Sequence, residues 1–182
     1  MDVSLEYLKT LFEHQSLDDL LVTGYIDGGS SLSDIAKPLR HFGQFHALWG
    51  KVYLEVGQVL LRFSAIDASS KLKMEQVERI ECYFDIDPDD TFGVMSMLRT
   101  ILPSGLGNSV RVKQLDVYTA PDEPLIPGVV TALGLLTGQG DFLFFNPQDV
   151  VHGIHVGSER ERDIWLDWVR HRYVLNSYPL GV

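Results

Sequence analysis

The stretch LWGKVYLEVGQVLLRFSA, residues 48–65, decides the fold. Leu48, Gly50, Val52, Leu54 and Val56 alternate with Trp49, Lys51, Tyr53 and Glu55. A period of two sends successive side chains to opposite faces, so the pattern predicts a strand with one apolar and one wet face. Gly57-Gln58 puts glycine first, as a two-residue hairpin turn asks, and Val59, Leu61, Phe63 and Ala65 form the returning apolar face. A polar loop over 67–73 then leads to a third expected strand. It holds Ile80, Cys82, Phe84 and Ile86 inward, with Arg79, Glu81, Tyr83 and Asp85 outward. The three runs predict an antiparallel meander.

Upstream, Asp2 is positioned to cap a helix carrying the stripe Leu5, Leu8, Leu11 and Phe12, and Leu20 to Ile26 reads as a strand. After the glycine-rich break at 27–31, Leu32, Ile35, Leu39 and Phe42 have helical spacing that Pro38 would interrupt. Downstream, Asp89, Asp90 and Thr91 suit the positive end of a short helix, Phe92 to Leu102, which Pro103 stops. From Val110 to Val117 the apolar residues change phase, which predicts a bulge near Lys113 or Gln114. The proline-rich stretch 121–127 should be an extended connection, and 128–132 fits a helical turn or the start of a strand.

Gly138-Gln139-Gly140 separates the apolar runs 133–137 and 142–145 as a hairpin loop would, and Asn146-Pro147 ends the second. A third run, 150–156, precedes Ser158 and Glu161, which have capping-box spacing. The helix they open should bury Ile164, Trp165, Trp168, Val169 and Tyr173. Taken together the pattern predicts an α+β fold in a single domain, 1–182. It has a largely antiparallel sheet, an N-terminal helix, a short central helix and a C-terminal amphipathic helix.

The 182 residues include 45% hydrophobic and 22% charged side chains, near the globular average. One cysteine, Cys82, forms no internal disulfide, and Met1 to Thr10 lack the basic start and apolar core of an export signal, so the expected location is cytoplasmic. The longest apolar stretch is far short of the ~20 residues a spanning helix needs, so no membrane association is expected. With 25 acids against 15 bases, the average surface repels a phosphate backbone and nucleic acid is not an expected partner. Residues 1–90 hold 16 of the acids and 8 of the bases, and Glu75 to Asp90 carries seven acids against Arg79 alone.

No motif names a reaction. Asp85, Asp87, Asp89 and Asp90 resemble the opening of a calcium loop, but an acid stands where the turn glycine belongs and Ser96 where the closing glutamate belongs. His152 and His155 face opposite ways on a strand, so neither a metal nor a cofactor is expected. Cys82 alternates with Ile80 and Phe84 as a buried residue would. Ser104 lacks the glycine two positions before it that a nucleophile elbow needs, and the glycines of 134–140 have no accompanying lysine.

The expected function is therefore that of a non-catalytic soluble binding protein, of inhibitor or immunity type, that meets a basic protein partner through an acidic sheet face. Trp49, Tyr53 and Tyr83 would supply aromatic contact there, and Arg79, Glu81 and Asp85 orientation and encounter rate, provided no further helix covers that face. The alternatives are a small enzyme using the 85–90 carboxylates with a histidine such as His152, and a homo-oligomer joined through strand edges or exposed aromatics.

Overall fold

The computed structural model describes residues 1–26, 45–66, 71–102, 109–121, 126–149, 153–170 and 172–181. Helix α1 (Leu5–His14) is followed by strands β1 (Leu17–Ile26), β2 (Phe45–Val56), β3 (Val59–Ile66), β4 (Lys71–Val77) and β5 (Thr91–Ser96). Helix α2 (Leu98–Ile101) precedes β6 (Val112–Thr119), β7 (Val129–Val130), β8 (Ala132–Thr137), β9 (Phe142–Asp149) and β10 (Gly153–Gly157). Helix α3 (Glu159–Val169) and strand β11 (Val174–Pro179) complete the described elements. This is the expected α+β architecture.

The strands follow the order β11-β6-β8-β9-β10-β2-β3-β4-β7, with β1 paired to β2 and β5. All pairs are antiparallel except β10 with β2, which meet in parallel at Gly153 and Trp49. Gly153 has φ +92°, and a Cβ there would run into the Trp49 carbonyl, so glycine is required at this junction. The sheet curls until β3 lies over β9, where the Phe63 and Phe145 rings stack with centroids 5.0 Å apart. β7 pairs with β4, and Thr131 N–H next donates to the Tyr118 carbonyl at 2.7 Å, so the chain crosses from one layer to the other within three residues.

Between the layers lies the main core, built from Val52, Leu54 and Val56 of β2, Leu61 and Phe63 of β3, and Leu133, Leu135, Leu143 and Phe145 of the opposite layer. α1 contributes Leu8, Leu11 and Phe12. Its cap is Ser4, whose hydroxyl accepts from Tyr7 N–H at 3.2 Å, in place of the expected Asp2. Asp2 instead makes an isolated bridge to Glu75. The alternate residues of β8 and β9, Ala132, Phe142 and Phe144, face outward and are covered by Trp165 and Val169 of α3. Gly134 lies beneath the Phe142 ring, which occupies the place of a side chain there.

The Gly57-Gln58 hairpin, the strand over 20–26, the glycine-loop hairpin between β8 and β9, and the bulge between Val112 and Gln114 match the sequence reading. The third strand of the meander does not. It is Lys71–Val77, where Leu72 and Met74 alternate into the core, and residues 78–90 form no strand. The expected helix over 92–102 is the strand β5 followed by the single turn of α2. α3 starts after Ser158, but Glu161 accepts from Asn146 Nδ2 at 2.9 Å, and Ile164 and Trp168 are 55% and 66% exposed. The stretches 27–44, 67–70, 103–108 and 122–125, with His41, His152 and His171, lie outside the described residues.

Replacing Gly134 with valine should overpack the β8–α3 layer and destabilise the protein by about 2–3 kcal/mol. Phe142→Ala in the same chain should return part of that loss, so that the two effects are not additive. Urea unfolding of the two single variants and the double variant measures the coupling.

Candidate functional site

Across the outer face of the first layer the register aligns Leu21 of β1, Tyr53 of β2, Arg62 of β3 and Glu75 of β4. Arg62 and Lys73 donate to the two oxygens of the Glu75 carboxylate at 2.8 and 2.9 Å. Burial alone would raise the Glu75 pKa. The hydrogen bonds from Lys73 and Arg62, with their charges, outweigh it and hold the carboxyl below its usual range. Tyr53 is fully buried in this row, and burial raises the pKa of its phenol. Its hydroxyl sits beside the Arg62 guanidinium and the Glu81 backbone without a hydrogen bond of full geometry.

A strap, residues 78–90, lies on this face in irregular conformation. Its anchor is Tyr83. The phenol donates to the Leu48 carbonyl at 3.0 Å, accepts from Lys51 N–H at 3.2 Å and lies against Gly50. A Cβ on residue 50 would come within 3.0 Å of the Tyr83 oxygen. The Lys51 ammonium stands 4.6 Å from the centre of the Tyr83 ring, and burial followed by the nearby Arg62 charge lowers its pKa. Phe84 makes an edge contact with Tyr83 and packs towards Tyr25 and Phe92, while Tyr25 stacks on His46 at 4.9 Å.

The strap divides the six residues expected to form the binding face. Glu81 and Arg79 are exposed and paired with each other at 3.1 Å, and Asp85 is exposed beside Phe84. Tyr83 is half-buried as the anchor rather than offered as a contact. Tyr53 is no surface aromatic, because the strap and its own layer bury it. Trp49 packs against the main core. Its change of face has a local cause: between Val52, opposite Val22, and Leu48, opposite Thr23, β2 holds three extra residues, and this bulge rotates Trp49 off the Tyr53 face. Cys82 is likewise exposed on the strap rather than buried in a strand.

Among the described residues of the strap, what remains at the surface is mostly acidic. Glu78, Glu81, Asp85, Asp87 and Asp89 are exposed. Among the described residues four nearby cations are engaged: Lys51 over a ring, Arg62 and Lys73 on Glu75, and Arg79 on Glu81. The strap leads directly into β5, where Val94 and Met95 are 43% and 39% exposed. Sequence pattern does not disclose this apolar margin, because Asp89, Asp90 and Thr91 have the composition of a helix cap. Gly93, poorly placed in the first turn of a helix, was the contrary signal.

Other arrangements offer less chemistry. Among the described residues no three His, Cys, Asp or Glu side chains gather as a metal-holding group. His155, the exposed residue of β10, has its Nδ1 3.8 Å from the Glu161 carboxylate. A cleft of about 300 Å³ opens between the start of α1 and β4, β6, β7 and β11 over Met74, Val117 and Val130. The carboxylate on its described lining, Glu6, is paired with Lys9. No helix among the described residues is long and apolar enough to cross a membrane. No protein family, curated protein or solved structure matches the chain.

If Tyr83 holds the strap, Tyr83→Ala should cost about 1–3 kcal/mol and open residues 78–90 locally. Trypsin should then cut at Arg79 several-fold faster while the thermal unfolding transition stays cooperative. An unchanged cleavage rate would show that the strap is held by other contacts.

Proposed function

We propose that this protein is a non-catalytic binding protein whose acidic strap engages a basic protein partner. The observation that supports this reading is the division of labour within residues 78–90. Tyr83 and Phe84 are spent on anchoring, and the carboxylates of Glu78, Glu81, Asp85, Asp87 and Asp89 are left at the surface with the nearby cations already engaged. An array of predominantly one sign, with Arg79 its one cation, steers an oppositely charged protein and orients it on encounter. Occupying a basic functional surface in this way would inhibit the partner.

The test is recovery of partners by the tagged protein at low and moderate salt, beside the double variant Glu81→Lys and Asp85→Lys. A stoichiometric basic partner should be retained by the native chain. The variant should associate with it about tenfold more slowly at low salt, with a weaker salt dependence and an unchanged fold. Equal retention by the variant would remove the strap from the interface.

Association with a second copy is a second reading, favoured by Ile164 and Trp168 on the outer side of α3 and by exposed Val174 and Leu175 on β11. It predicts a concentration-dependent sedimentation coefficient that Trp168→Ala reduces to that of a monomer. A monomer at every concentration would end it.

A further inference from the structure

Resting on the acidic-strap reading, we propose that the basic partner enters as an extended segment that adds a strand to the outer edge of β5. Among the described residues β5 is paired with β1 alone, Thr91–Ser96 against Leu21–Ile26 with no break in register. Met97 N–H donates to the Leu20 carbonyl at 2.7 Å, which sets the phase of the ladder. Antiparallel alternation then turns the amides and carbonyls of Gly93 and Met95 toward β1, and those of Phe92, Val94 and Ser96 away from it. A row of outward backbone groups is a template for another strand.

Side chains on both faces suit such an addition. Val94 stands on the strap side with Phe92, Met95 stands on the other, and Ile26 is exposed at the end of the neighbouring strand. Edges that must stay unpaired are commonly blunted by lysine, proline or a bulge, and TFGVMS, residues 91–96, has none of these. Charge selects the partner. Asp85, Asp87 and Asp89 stand immediately before the edge, where Asp90 N–H closes a turn onto the Asp87 carbonyl at 2.9 Å. A lysine- or arginine-bearing strand would therefore gain backbone pairing and ion pairing together. β11 also ends the sheet path, but Arg170 and Arg172 precede it and Pro179 lies within it, so its sign and shape disfavour the same partner.

The probe is an acetylated, amidated octapeptide alternating lysine and valine, added to the full chain at low salt while amide exchange is followed by NMR. Exchange at Phe92, Val94 and Ser96 should slow by about tenfold or more. Val94→Pro removes an outward N–H and no β1 hydrogen bond, so it should abolish this protection and leave exchange in the other strands unchanged. A peptide methylated on alternate backbone nitrogens should fail on the unaltered protein, which guards against a misfolded variant. Salt-dependent binding without protection of β5, or with protection of β11 instead, overturns strand addition and leaves the acidic-strap reading standing. A peptide that does not bind even at low salt overturns both.

Discussion

Both faces of β8 and β9 have to be buried, and the rest of the structure depends on that requirement. Leu133, Leu135, Leu143 and Phe145 point one way, and Ala132, Phe142 and Phe144 the other. A hairpin that is apolar on both sides exposes too much surface to stand at the outside of a two-layer fold, since each large side chain left in water forgoes about 1.5–3 kcal/mol. One face is therefore met by the curled layer of β2, β3 and β4, and the other by α3. Trp165, in contact with Tyr118, Phe144 and Tyr173, closes the second interface. Burial, with the Asp116 charge adding to it, pushes the Tyr118 phenol up to about 12.

With α3 used on the second layer, the outer face of the first layer needs another cover, and the chain supplies an irregular strap. Two of its side chains and the glycine at position 50 account for the attachment: Tyr83 bonds to β2 backbone where no Cβ intervenes, and Phe84 joins the aromatic row of Tyr25 and Phe92. Exposure along the strap alternates only in part: half-buried Phe84 and Ile86 are separated by exposed Asp85, but Tyr83 and Phe84 are half-buried in succession and Glu81 and Cys82 exposed in succession. An irregular segment lying on a sheet can carry a sequence alternation that resembles a strand's period of two without joining the ladder. The difference lies in where the backbone bonds go, and side-chain pattern carries no record of that.

Most of the framework could be read locally. Gly57-Gln58 and Gly138-Gln139-Gly140 made their hairpins, the phase change at Val112 to Leu115 marked its bulge, and Ser158 opened α3. In each case the signal and the structure sit within a few residues of one another. The candidate site was legible as a charge concentration and misread as a geometry. Tyr53 alternated with Lys51 and Glu55 and looked solvated, yet it is buried beneath residues nearly thirty positions later. Trp49 shared its parity with Tyr53 until a bulge in β2 separated them.

The amino-acid sequence by itself determined the elements whose cause is local: the hairpins, the start of α3, the α+β class and the concentration of acid between Glu75 and Asp90. Tertiary structure decided which faces are covered, that Lys71–Val77 rather than the acidic run completes the meander, and that β5 forms an edge beside the strap. Those outcomes rest on pairing and burial between segments far apart in the chain. A residue's neighbours across a sheet, unlike its neighbours along the chain, are set by the register of the whole fold.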